Sequence, residues 1–531
     1  MTERESGGAR VEMPLAELPA WQAFAEAAGQ ADRRGGTLRV LQAAGLSLDL
    51  STQAQSPALR AAGLALLVAR DFDDWRSRLL QGSAVNGTEQ RAAWHTALRA
   101  EEPPGMAAAK VRDEQDRLRA FVRHLDAEGR FDSVVHIGIG GSDWGPKLVV
   151  AALGYAGTRR EMRFVANIDG HAIEAGLLGL DPHRTLVVVS SKSFTTVETM
   201  SNAQRALQWL REAGIAEPWA QVVAVTANPE AARGMGVAPE RIFRFWEWAG
   251  GRYSVWSSIG LPIALALGAE ALDGLRQGAA AMDEHFATAP PENNMPVQMA
   301  LTGLVNRNVY GYASLNIAPY DARLMHLVPY LQQLEMESLG KSVDRAGRPV
   351  SLPTGPVVWG MPGTDGQHTF FQWLHQGPEG APVDFIICRD ADHPFPEHHR
   401  LLVANCLAQR EALLKGKSAQ TLQAELAAKE PDAARAAWLA RHKAHPGGRP
   451  SSLIVLPRLN AHALGALLAL YEHKVFVQGV LWGINPFDQW GVEYGKILAT
   501  GIAAELTSGR LAEGHDASTA YWVAQWENGG V

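Results

Sequence analysis

The chain has 531 residues, 47% hydrophobic and 20% charged, with a formal net charge of −7. That length suits two or more domains at about 150 residues each. The mild acidity argues against a general nucleic-acid binder and leaves room for a local basic pocket. Its two cysteines, Cys388 and Cys406, lie in apolar stretches. They are expected to be reduced and buried, as in a cytoplasmic protein, and offer no basis for a metal centre. The first thirty residues carry charges together with Pro14 and Pro19, and nowhere do eighteen apolar residues run together. Neither a signal peptide nor a membrane span is therefore expected.

Taken in chain order, residues 1–110 read as a helical segment. Residues 61–80 are rich in Ala, Leu and Arg at helical spacing. Asn86-Gly87-Thr88 interrupts the pattern, and Thr88 is expected to cap a second helix running to Leu98. Glu101-Glu102-Pro103-Pro104-Gly105 ends that segment and marks a domain edge. Between 111 and 266 helix-like and strand-like stretches alternate, with strands expected at 133–139, 162–166, 185–189 and 222–226. This is the pattern of βαβ units around a mainly parallel sheet, which binds ligands at the carboxyl ends of its strands. Residues 267–531 form a larger mixed region. Helices are expected at 272–287 and 296–310, and strands at 357–359, 383–388 and 452–456. The fold class is α/β.

Two loops at strand ends carry unusual chemistry. Residues 190–196 hold Ser190, Ser191, Lys192, Ser193, Thr195 and Thr196, five hydroxyls and one ammonium. Thr195 and Glu198 have the spacing of a capping box, which predicts a helix start there. Free N–H groups, hydroxyl donors and a lysine make a seat for phosphate; the alternative is an ordinary Ser/Thr-rich turn. The second loop, Gly138 to Gly145, begins like a dinucleotide fingerprint but has Asp143 where the third glycine belongs. Gly495-Lys496 is followed by Ile497, so a Walker-type phosphate loop is absent too. Gly141 and Ser142 are better suited to offering a backbone N–H and a hydroxyl to one small anion.

Further along, Gly250-Gly251-Arg252 lets a guanidinium project from a tight turn, with a structural arginine bridging two loops as the alternative. Gln333 and Glu337 stand four residues apart, on one face of a helix, where a solvated glutamate is the ordinary outcome. His368 follows a Gly- and Pro-rich loop, where a structural histidine is equally at home. Asp488 is read as a helix cap, placing Gln489 and Lys496 two turns apart on one face, although an isolated lysine there is ordinarily surface.

These segments occur in a set order: 138–146 (GIGGSDWGP), 191–199 (SKSFTTVET), 250–254 (GGRYS), 332–341 (QQLEMESLGK), 363–368 (GTDGQH) and 487–496 (FDQWGVEYGK). In that order they closely resemble the motifs of the glucose-6-phosphate isomerase (phosphoglucose isomerase) family, and 86–99 (NGTEQRAAWHTALR) is similar as well. The likeness covers essentially the whole chain. It implies two sugar-isomerase (SIS-type) three-layer αβα domains, the smaller at 111–266 and the larger at 267–531, with helical N-terminal and C-terminal segments. It also implies a homodimer with the active site at the subunit interface, and reversible conversion of glucose 6-phosphate to fructose 6-phosphate in glycolysis and gluconeogenesis, without metal or organic cofactor. Carried over motif by motif, Ser142, Ser191, Ser193 and Thr196 would hold the phosphate, with Gly141 and Lys192 contributing mainly backbone. Glu337 is the implied base between C2 and C1, and Arg252 the partner for charge on the intermediate. His368, arriving from the other subunit, and Lys496 are implied in ring opening. Gln333 and Gln489 would bind sugar hydroxyls.

The chemistry asks for the same residue types. Isomerisation through a cis-enediol needs one base within reach of both carbons. It needs a permanent cation for the developing oxyanion and a group that exchanges protons near neutrality to open the ring. Remote phosphate contacts supply orientation. Three departures from the family pattern stand out: Leu339 in place of Asn, Ser193 in place of Thr, and Met361 with Asp365 in place of Glu and Asn. Two other readings are a relative that also takes mannose 6-phosphate, and a non-catalytic sugar-phosphate-binding regulator. A regulator would need the phosphate seat but not Glu337, Arg252, His368 and Lys496 together.

Overall fold

The computed structural model describes residues 12–32, 37–101, 105 and 107–528. It falls into two compact units, Met1–Pro486 and Phe487–Val531. Among the described residues the first unit contains two sheets.

The N-terminal segment has helices Pro19–Gln30, Pro57–Ala69 and Phe72–Leu80. It also contributes a hairpin, β1 (Val40–Ala43) and β2 (Leu46–Thr52). Leu46, Leu48 and Leu50 alternate with polar residues and are buried, the period-two signal of a half-buried strand. The helical reading of this segment therefore needs correcting at 40–52. The helix expected over 61–80 is two helices, separated at Asp71, which takes the left-handed conformation. The helix expected to follow Thr88 is instead a turn and a short 3-10 helix, His95–Leu98. Of the expected domain edge, Glu102, Pro103 and Pro104 lie outside the described residues.

Runs rich in β-branched residues give strands Ser133–Gly138, Thr185–Ser190 and Val222–Thr226 their burial on both faces, as the inner strands of a parallel sheet require. The smaller sheet holds β3 (Ser133–Gly138), β4 (Glu161–Val165), β5 (Thr185–Ser190), β6 (Val222–Thr226) and β7 (Ile242–Arg244). Every pairing is parallel, in the order β4-β3-β5-β6-β7. The strand order reverses between β3 and β5, so their carboxyl ends flank a topological switch point, the usual ligand crevice of such sheets. Gly138 and Ser190 are register partners at that edge. The glycine loop and the hydroxyl-rich loop therefore leave the sheet side by side.

The larger sheet runs β1-β2-β11-β10-β8-β9 and adds β8 (Ser314–Tyr320), β9 (Val357–Gly360), β10 (Val383–Cys388) and β11 (Ser451–Leu456). The last four strands are parallel, and the hairpin joins them through an antiparallel pairing of β2 with β11. Among the described residues one helix, Ala461–Trp482, is long and apolar enough to cross a membrane by length and composition, yet it is buried inside the protein. It is the core helix beside this sheet, and it carries three consecutive charged or titratable residues, Glu472, His473 and Lys474.

In the second unit, helices Glu493–Ser508 and Ala517–Asn528 form a hairpin fastened by His515 on Glu505 at 2.9 Å. Trp490, Tyr494, Ile497, Tyr521, Trp522 and Trp526 are exposed.

Candidate active site

The hydroxyl-rich loop folds on its own side chains. Ser191 Oγ accepts the Phe194 N–H at 3.1 Å and meets Thr196 Oγ1 at 3.1 Å. Ser193 Oγ accepts from Thr195 Oγ1 at 2.7 Å and from its N–H at 3.3 Å. Phe194 is buried in the left-handed conformation, with φ 57°. It anchors the loop while its neighbours face outward. The helix begins at Val197 with Thr196 as its N-cap, and the Thr196 hydroxyl makes no cap bond. The capping box expected at Thr195 and Glu198 is thus displaced: the loop's hydroxyls bond one another, and the first N–H groups of a 16-residue helix keep their ligand-binding capacity. Lys192 points elsewhere. Its ammonium donates to the Glu247 carbonyl at 3.0 Å and pairs with the Glu247 carboxylate at 3.2 Å. Burial, its main cause, holds its pKa below the ordinary lysine value. Its carbonyl accepts from Ala227 N–H and Thr226 Oγ1.

Beneath this loop His136 Nε2 meets Ser190 Oγ at 3.0 Å. Burial drives this histidine down to about 3, helped by the charge of Lys147, so its ring is neutral.

The glycine loop packs so closely on the Gly250–Arg252 turn that glycine is required at position 141. A Cβ there would lie 2.0 Å from the Gly251 carbonyl oxygen. Gly140 has φ 61°, and a Cβ on it would lie 3.1 Å from the Gln333 amide nitrogen. Gln333 is thereby brought to the glycine loop across nearly two hundred residues of chain. The carboxyl of Asp143, the residue that broke the dinucleotide pattern, is buried rather than directed at a ligand. Burial pushes it up to about 6, partly opposed by Lys147.

Gln333 and Glu337 lie on a π turn, Gln332–Glu337, not on a regular α-helix as expected. Such turns are short and often functional. This one is held from outside by Gln332 Nε2 on the Val358 carbonyl at 3.0 Å, and from inside by the buried pair of Glu335 with Lys474 at 2.6 Å. The Glu337 carboxylate faces Arg252 Nη1 at 3.4 Å, with side-chain exposures of 23% for Glu337 and 2% for Arg252. Arg252 Nε donates to Ser338 Oγ at 2.6 Å and Nη2 to the Pro486 carbonyl at 2.7 Å. A half-open carboxylate beside a buried, tethered cation can exchange a proton with a bound molecule while the cation takes up negative charge on it. Leu339, the departure next to this pair, is fully buried against Gly355. Apolar packing there supports the turn in place of a polar side chain.

His368 is exposed at the end of the short helix Gly363–Gln367 that follows β9. That helix is held by Gly363 under the Tyr320 ring and by Gln367, which bridges Tyr320 and Asn405. Gln489 and Lys496 belong to the second unit. Its helix starts at Glu493 with Val492 as N-cap, so Asp488 is not a cap and Gln489 precedes the helix, because Trp490–Val492 forms a 3-10 turn first. The Lys496 side chain is 66% exposed, 3.2 Å from Glu493.

Sequence reasoning passed over Ser338, Tyr253 and the triplet Glu472-His473-Lys474. The triplet did carry a signal, being a charged interruption in a long apolar run. Glu472 accepts from Trp256 Nε1 at 2.8 Å and from Arg99, and Arg99 and His473 both bind Asp283 at 2.6 Å. Trp256, four residues after Arg252, and Lys474, the partner of Glu335 on the π turn, tie this cluster to both turns.

Known proteins match nearly the whole chain. The family model described as phosphoglucose isomerase matches residues 49–523. A glucose-6-phosphate isomerase from Bordetella petrii is 60% identical over 511 residues, covering 96% of this chain and 98% of that protein. One from Cupriavidus metallidurans is 46% identical, covering 96% of this chain and 95% of that protein. The crystal structure of a glucose-6-phosphate isomerase from Chlamydia trachomatis matches with a TM-score of 0.84 at 32% identity, covering 97% of this chain and 99% of that one.

Proposed function

This chain belongs to the phosphoglucose isomerase family, and from that premise we infer that it interconverts glucose 6-phosphate and fructose 6-phosphate as an aldose–ketose isomerase of glycolysis and gluconeogenesis. The phosphate is held at the switch point by Ser142, Ser191, Ser193 and Thr196, with backbone N–H groups around Gly141 and Lys192. This leaves the sugar carbons to extend toward Glu337. The engagement of the Lys192 ammonium with Glu247 supports a backbone role for that residue.

His368 and Lys496 open the ring, one giving a proton to the ring oxygen while the other accepts the C1 hydroxyl proton. His368 comes from the second subunit of a homodimer; its exposure, and the exposed apolar residues of 487–531, support a shared site. In the open chain Glu337 removes the C2 proton. The electron pair forms the C1–C2 double bond, and the former carbonyl oxygen becomes an enediolate facing Arg252. The C2 hydroxyl proton passes to the C1 oxygen, and Glu337 returns its proton to C1 as the C2 oxygen becomes the ketone. Gln333 and Gln489 hold the hydroxyls. The division into a small domain at 111–266 and a large one at 267–531 belongs to the same reading, and a cytoplasmic location agrees with two free, buried cysteines.

The observation that carries this reading is the Glu337–Arg252 pair at 3.4 Å, a base and a permanent cation side by side. Incubation with glucose 6-phosphate in deuterated water tests it. Deuterium should enter C2 of recovered glucose 6-phosphate and C1 of fructose 6-phosphate. Turnover without solvent exchange that persists in Glu337→Gln would indicate hydride transfer and remove Glu337 as the base.

A further inference from the structure

A guanidinium on a flexible stem stabilises an oxyanion well only if its plane is fixed before charge develops. Arg252 is tied along its fork, by Nε to Ser338 Oγ at 2.6 Å and by Nη2 to the Pro486 carbonyl at 2.7 Å, which turns Nη1 toward Glu337. Ser338, the acceptor for Nε, immediately follows Glu337 in the chain. Its hydroxyl is also held: Tyr253 Oη lies 3.1 Å from the same Ser338 Oγ. Tyr253 is itself rigid, buried and stacked on His95 with ring centroids 4.6 Å apart. The His95 ring reaches to 3.9 Å from buried Glu472. Ser338 thus links the segment bearing the base to the segment bearing the cation.

We propose that Ser338, held by Tyr253, is a positioning residue that fixes the Arg252 guanidinium relative to Glu337, and so governs whether the abstracted proton returns to substrate or is lost to solvent. This rests on the reading of Glu337 as base and Arg252 as oxyanion partner. Once Glu337 carries the proton, return to carbon competes with exchange. A guanidinium that has lost its Nε acceptor is less firmly fixed, so the enediolate forms more slowly. The protonated Glu337, already 23% exposed, is then more open to water beside the displaced cation, so exchange gains on return.

The test is Ser338→Ala, assayed for kcat, KM and the ratio of intramolecular transfer to solvent exchange with C2-deuterated glucose 6-phosphate. The expected result is a fall in kcat of about 10- to 100-fold with KM within about threefold. The transfer ratio should drop alongside. Ser338→Thr, which keeps a hydroxyl, should recover most of both. Tyr253→Phe should shift the transfer ratio in the same direction by a smaller factor, and it carries the test if Ser338→Ala does not fold. A transfer ratio unchanged in Ser338→Ala and Tyr253→Phe would overturn the proposal, because a purely structural weakening would not alter that ratio. Glu337→Gln separates the two levels. If it stays active, the base assignment itself fails; if it is inactive while the transfer ratio of Ser338→Ala is unchanged, only the role of Ser338 fails.

Discussion

Asp143 illustrates how one side chain in a ligand loop reshapes stability. Burial raises its carboxyl to about 6, whereas in an unfolded chain it ionises near 4, about two units lower. As pH rises through that window the unfolded state releases its proton while the folded state keeps it, so stability falls with rising pH and then levels off above the folded value. Asp143→Asn removes this dependence. Urea unfolding should show its gain over wild type growing between about pH 4 and pH 7, toward roughly 3 kcal/mol. A difference that does not change with pH would disprove it. The sequence marked Asp143 only as the residue that breaks a glycine pattern. That it is buried depends on packing that no local pattern encodes. Ser338 was hidden for a related reason: its partner Arg252 lies 86 residues away.

At the scale of elements, the π turn Gln332–Glu337 and the core helix Ala461–Trp482 form one device. Lys474 on the helix neutralises Glu335 on the turn, both almost wholly buried. Removing one member of a buried ion pair leaves a stranded charge and costs about 3–5 kcal/mol, whereas replacing both with apolar residues is far milder. Lys474→Met and Glu335→Leu singly should each lower stability by that order, and the double variant should lose less than either. Denaturant unfolding of the four proteins checks this, and additive losses would rule out the coupling. The buried strands were legible in advance, since consecutive β-branched residues are a local signal; β5, β6 and β10 fall within a residue or so of expectation. The hairpin at 40–52 and the π turn were not. A short alternating strand can be missed inside a helix-rich segment, and a π turn differs from an α-helix only in which carbonyl each N–H selects.

For the whole molecule, the decisive question is whether one chain completes its own site. If His368 is supplied by the second subunit, Glu337→Gln and His368→Ala are each nearly inactive alone. Mixed subunits would regain one intact site in each heterodimer, about a quarter of wild-type activity after random exchange. Activity measured after denaturing and refolding the two variants together should rise to that level. No recovery in verified heterodimers would place Glu337 and His368 in the same chain's site.

The sequence by itself determined the α/β class, the order of the motif-bearing loops and the residue types able to do the chemistry, because each depends on local runs, turn residues and side-chain identity. Only the tertiary structure decided which of those residues meet. Strand order sets the glycine and hydroxyl loops side by side, a Cβ-free approach at Gly141 seats the loop on the Arg252 turn, and buried charges from one core helix hold Glu337 against Arg252. Contacts between residues far apart in the chain follow from how the elements pack, and packing is a property of the folded whole.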